Sequence, residues 1–144
     1  MAHRRLVARL TALVETCCDG YAGYDDAARL VPDLSLRRLF ERLAAERRTH
    51  AQELGGELAR LGGSPRAEGT VRGALHRGWL RARAPLTALE ILRECTIGER
   101  AALKRYDEAL AGDLPAEVRA LLESHRRRLA AINEMLVELG ESLS

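Results

Sequence analysis

Gly62 to Pro85, GGSPRAEGTVRGALHRGWLRARAP, is the stretch whose length decides the fold. It separates two pairs of strongly periodic segments. On its N-terminal side, Leu6, Leu10, Leu13, Cys17, Tyr21, Tyr24, Ala28 and Val31 follow the three-and-four spacing of one helix face. That spacing predicts a helix over 2–30, and Pro32-Asp33 ends it. A second helix is expected over 35–61, from Leu36, Phe40, Leu43, Leu54, Leu58 and Leu61, with Asp33 or Ser35 as its cap. Gly62-Gly63-Ser64-Pro65 stops it.

Beyond the connector, Leu89, Leu92, Cys95, Leu103, Tyr106 and Leu110 predict a helix over 86–111. Val118, Leu122, Leu129, Ile132 and Leu136 predict another over 116–139, with Gly140 starting a frayed end. Gly112-Asp113-Leu114-Pro115 is a short turn, as is the link at Pro32. Both outer links therefore join antiparallel neighbours. A helix of ~24 residues is ~36 Å long, and the central connector is long enough to return along it. Its second half, 70–83, carries Val71, Leu75, Trp79 and Leu80 and is expected to form a short basic amphipathic helix. The expected architecture is all-α: one domain over 1–144, an up-down four-helix bundle with one long crossover over 62–85, as in ferritin-like folds.

Composition agrees. Hydrophobic residues make up 47% of 144 residues and aromatics 3%, with 23 basic against 21 acidic side chains, a net charge of +2. Sparse β-branched residues disfavour a sheet. The even charge balance argues against a protein built to grip nucleic acid. No apolar run reaches the roughly 20 residues that span a bilayer, and Thr11, Glu15 and Asp19 interrupt any signal-peptide core. Three cysteines without such a core point to reduced thiols and a cytoplasmic protein, with Cys18 the more reactive of the vicinal Cys17-Cys18 pair.

The chemistry lies in polar residues on apolar faces. At ~100° per residue, His50 falls in the stripe of the second helix, Glu99 in that of the third and His125 in that of the fourth. Glu46 and Glu53 flank His50 one turn either way. Pairing about the Gly112 turn brings Glu99 level with His125, and pairing about Pro32 brings Cys17 level with His50. Buried ionisable groups are costly unless paired or coordinated. Two readings follow. Either His50, Glu99 and His125, supported by Glu46 and Glu53, hold iron, zinc or manganese, or the layer is metal-free and internally hydrogen-bonded. A complete di-iron set is not supplied: Glu46 and His50 are one residue too far apart for Glu-x-x-His, and Glu123 and His125 one too close.

Several stretches resemble an uncharacterised bacterial family of ferritin-like four-helix bundles, a domain of unknown function. These are Cys17-Cys18-Asp19-Gly20-Tyr21-Ala22-Gly23-Tyr24, the connector residues Gly69 to Trp79, Glu94 to Glu99, Tyr106 to Leu110, and Asp113-Leu114-Pro115. The resemblance implies the fold and no established reaction. Many members carry a histidine where Asn133 stands and a carboxylate near Ala22.

Two functions are thus expected as alternatives. One is a metal-binding, stress-linked bundle. The other is a non-catalytic homodimerisation or protein-interaction module, suggested by a strip of Ile91, Gly98, Ala102 and Ala109 on the third helix. No hydrolase, transferase or nucleotide-dependent motif is present, so an enzyme is not expected. The arginines at 47–48, 81, 83 and 126–128 read as solvated helix faces rather than a phosphate site.

Overall fold

The computed structural model describes residues 2–63 and 86–144. Four α-helices run through them: α1 (Ala2–Leu30), α2 (Leu34–Arg60), α3 (Ala88–Leu110) and α4 (Ala116–Leu143). The described residues include no strand. None of these helices is long and apolar enough to cross a membrane. The expected connector helix over 70–83, with Trp79 and the arginines at 81 and 83, lies outside the described residues.

Local chemistry sets the ends. Asp33 caps α2 by accepting from the Leu36 amide at 2.8 Å. Thr87 and Glu90 form a reciprocal capping box, both bonds 3.1 Å, so α3 starts at Ala88 rather than at 86. Gly62 adopts φ +81°, the left-handed conformation that ends α2. Arg119 donates to the carbonyls of Leu110 at 3.0 Å and Gly112 at 2.8 Å, capturing acceptors freed where α3 stops. The expected fraying from Gly140 does not occur. Leu139 packs on the core, Gly140 keeps a negative φ, and α4 continues to Leu143.

Cross-helix pairs define the topology. Tyr24 stacks on Phe40, and Arg48 lies over Tyr21, so α1 and α2 are antiparallel. Tyr106 meets His125, and further along Leu110 meets Arg119, so α3 and α4 are too. Glu46 pairs with Arg128 and Glu53 with His125, which makes α2 antiparallel to α4 and hence parallel to α3. This is the expected up-down four-helix bundle with a crossover between α2 and α3.

The core forms two apolar clusters. One gathers Leu6, Leu10, Leu13, Leu54, Leu58, Leu122 and Leu129. The other gathers Val31, Phe40, Leu43, Leu92, Ile132 and Leu136 near the α1–α2 link. On α2 and α3 the break between them is filled by Arg47, His50 and Glu99, all buried. Ile91, Ala102 and Ala109 are also buried in the bundle, leaving only Gly98 of their strip exposed, so the strip is used for internal packing.

Two glycines separate packing from propensity. A Cβ on Gly20 would lie 2.7 Å from Arg47 Nη1 and 2.8 Å from its Cγ, whereas one on Gly98 meets nothing within 4 Å. Gly20→Ala is expected to cost about 1–3 kcal/mol through overpacking. Gly98→Ala is expected to gain about 0.5–1 kcal/mol by removing glycine from a helix interior. Urea denaturation of the two variants measures both.

Candidate functional site

The inward face of α2 repeats as Leu43, Arg47, His50, Leu54 and Leu58, so two polar side chains enter the bundle one turn apart. Arg47 reaches Glu99 of α3, its Nη2 donating to Glu99 Oε1. The side chains are 3% and 1% exposed, an ion pair almost wholly out of water. Tyr24 of α1 donates its hydroxyl to the same oxygen, and the Arg47 guanidinium lies 5.7 Å from the centre of its ring. Burial opposes the charge on Arg47, but the Glu99 carboxylate outweighs it and raises the guanidinium's pKa. Burial and the Glu99 charge together push the Tyr24 phenol far above its usual range, so it stays a donor.

The second grouping is built on the histidines. His50 and His125 stack with ring centres 3.9 Å apart and planes 22° from parallel. His125 Nε2 lies 3.1 Å from Glu53 Oε1, and its Nδ1 lies 2.9 Å from the Tyr106 hydroxyl. That hydroxyl is 3.4 Å from Cys17 Sγ. Burial, then the neighbouring His125, Arg47 and Arg128, lower His50 to about 3. Burial also lowers His125, against the opposing pull of Glu53. Both rings are therefore neutral at pH 7. His50 Nδ1 is buried with no hydrogen-bond partner among the described residues, as is Glu99 Oε2. The Glu53 side chain is 46% exposed and opens this cluster to solvent.

One ligand atom each from His50, Glu53 and His125 lies within 4.8 Å of the others, the one such trio among the described residues. The other two expected ligands are engaged elsewhere. Glu99 sits on Arg47, and Glu46 is clamped on the surface by Arg128 through bonds of 2.9 and 3.0 Å. The expected register of α3 on α4 is corrected. Pro115 is extended (φ −55°, ψ 146°), which makes the link longer than a tight turn at Gly112, and the pairs Leu110–Arg119 and Tyr106–His125 centre on residue 115 instead of 112. Tyr106, not Glu99, therefore lies against His125. Cys17 meets Tyr106 and is fully enclosed: burial pushes its thiol up to about 11, against the opposing Tyr106 hydrogen bond. Burial, then Asp19 and Glu15, also raise the half-buried Cys18, which is the more exposed of the pair.

The reading of arginines 47–48 and 126–128 as solvated faces fails at Arg47, which is 2% exposed. Its position was legible, because it completes the stripe from Leu43 to His50. Arg126 and Arg128 are surface residues paired across helices with Asp107 and Glu46.

Removing one partner of the buried pair strands a charge. Glu99→Gln or Arg47→Met alone is expected to cost about 3–5 kcal/mol, while the double variant Arg47→Met/Glu99→Leu recovers most of it. Chemical denaturation of the three proteins is the check. Acid acts through the histidines. Both titrate lower in the folded state than in the unfolded chain, which thus binds more protons below pH 6.5. Stability is expected to fall as pH drops from about 6.5 towards 3, and His50→Gln should flatten the dependence. A urea midpoint that is the same at pH 7 and pH 5 contradicts this.

Solved structures of similar fold fit the bundle. A ferritin-like, diiron-carboxylate protein from Bacillus anthracis aligns with a TM-score of 0.79 at 20% identity, covering 95% of this chain and 96% of that one. Dps from Mycobacterium smegmatis aligns at 0.77 and 16% identity, covering 93% of this chain and 85% of that one. A two-domain protein from Anabaena variabilis, with DJ-1/ThiJ/PfpI-like and ferritin-like domains, aligns at 0.79 and 14% identity. That alignment covers 97% of this chain, which spans 37% of that protein's length. No curated protein matches by sequence. The family described as a domain of unknown function, DUF2383, matches residues 5–112, three-quarters of the sequence, and the chain belongs to this family of ferritin-like fold.

Proposed function

We propose that this bundle binds a single divalent transition metal through His50, Glu53 and His125. The observation that carries the reading is their convergence: three potential ligand atoms within 4.8 Å, two of them on neutral imidazoles. His50 Nδ1 supports it, as a buried nitrogen without a partner. Two histidines and one carboxylate suit zinc or iron(II) and leave coordination positions open. Bonds of about 2.1 Å place tetrahedral ligands about 3.4 Å apart. Glu53 is the most exposed of the three and has the most freedom to close that gap.

A dinuclear iron centre does not fit these residues. It needs several inward carboxylates. Glu99 is inward but carries a guanidinium and a phenol on one oxygen, while Glu46 is held at the surface. The diiron-carboxylate chemistry in the description of the Bacillus anthracis relative therefore does not transfer.

The test is metal content by elemental mass spectrometry on untagged protein, after exposure to zinc, iron(II) or manganese and dialysis. About one equivalent is expected, lost in His50→Ala and in His125→Ala. Retention should survive in Arg47→Met/Glu99→Leu, which separates this trio from the wider set that includes Glu99. Failure of the wild-type protein to retain any of the three metals overturns the reading.

A further inference from the structure

We propose that Tyr106, backed by Cys17, is a positioning residue that sets the tautomer of His125 and reverses its own hydrogen bond when the site fills. This rests on the metal reading above. The geometry forces the metal-free arrangement. An ionised carboxylate only accepts, so the short approach to Glu53 Oε1 requires the hydrogen of the neutral His125 ring to sit on Nε2. Nδ1 must then accept, and the only hydroxyl among the described residues placed to donate is that of Tyr106, at 2.9 Å. With its hydrogen spent on Nδ1, the Tyr106 oxygen can take the Cys17 S–H, 3.4 Å away. The chain runs one way: Cys17 to Tyr106 to His125, and His125 to Glu53.

Coordination demands the opposite. Nε2 faces Glu53, so it is the nitrogen that points into the trio, and it must offer a lone pair. The ring hydrogen must then sit on Nδ1 and needs an acceptor. Tyr106 can be that acceptor by turning its O–H towards Cys17 Sγ, a weak acceptor already within reach. The Cys17 S–H is released to the carbonyl one turn back on its own helix, that of Leu13. The three protons on Cys17, Tyr106 and His125 are conserved. Nε2 gives one up through Glu53 to water and Nδ1 takes one from water, so no proton is gained or lost overall, and the hydrogen bonds between the three side chains reverse.

This assigns a role to a buried phenol and a buried thiol that coordination itself does not use. Both are fully enclosed, at 0% exposure, so neither serves as a ligand open to solvent. A phenylalanine at 106 would fill the same space and provide neither direction of bond.

The experiment is nitrogen NMR of histidine-labelled protein, without and with one equivalent of zinc, alongside zinc titrations of Tyr106→Phe and Cys17→Ser. His125 is expected as the Nε2–H tautomer in metal-free protein and as Nδ1–H with zinc. Tyr106→Phe should weaken zinc binding by about 10–100-fold, as loss of such outer partners does. Cys17→Ser, which keeps a donor and an acceptor, should bind nearly as the wild type does. An Nδ1–H tautomer already present without zinc, or an unchanged Tyr106→Phe affinity, overturns this inference and leaves the metal reading standing. Histidine signals that do not respond to zinc overturn both. If Tyr106→Phe does not fold, the wild-type tautomers decide alone.

Discussion

The ion pair between Arg47 and Glu99 is the constraint around which the rest of the interior is arranged. Two opposite charges removed from water lose hydration that their attraction recovers only with good geometry and further hydrogen bonds. The bundle supplies these. Tyr24 adds a second donor to the carboxylate, its ring faces the guanidinium, and Gly20 leaves the space through which Arg47 extends. Together with Tyr24, the pair holds α1, α2 and α3 in one register, because the three residues come from those three helices. It also interrupts the apolar core between its two clusters.

That arrangement explains the state of the histidines beside it. A permanent cation one turn from His50 disfavours a second positive charge there, and burial acts in the same direction. His50 and His125 can stack at 3.9 Å because neither is protonated at neutral pH. Neutral imidazoles are the form that binds a metal. The internal cation thus occupies Glu99 and leaves the proposed site to the two histidines and Glu53. The diiron-carboxylate protein from Bacillus anthracis shares this fold, while the site proposed here is different and smaller.

The fold was legible because it rests on periodicity and stop signals. Leu6 to Val31 and Leu36 to Leu61 mark two helices to within a residue at each end, and the Pro32 and Gly112 links force antiparallel pairs. The candidate site was legible in part. His50, Glu99 and His125 are all buried, as their place in the apolar stripes implies. Which of them meet depends on axial register, and a short link does not determine register until its backbone is known. With Pro115 extended, the pairing of α3 with α4 is displaced by seven residues of α3, about two turns, which exchanges Glu99 for Tyr106 opposite His125. Arg47 was missed for a different reason. Arginine usually marks a solvated face, and only the strict stripe of Leu43, Arg47, His50 and Leu54, facing a glycine on α1, indicates otherwise.

The most direct test of the account is anomalous diffraction at the zinc edge from crystals grown with zinc. The account predicts one peak within bonding distance of His50, Glu53 and His125, with Arg47 still seated on Glu99. A peak on Glu99 with Arg47 displaced, or no peak among the three residues, would contradict it.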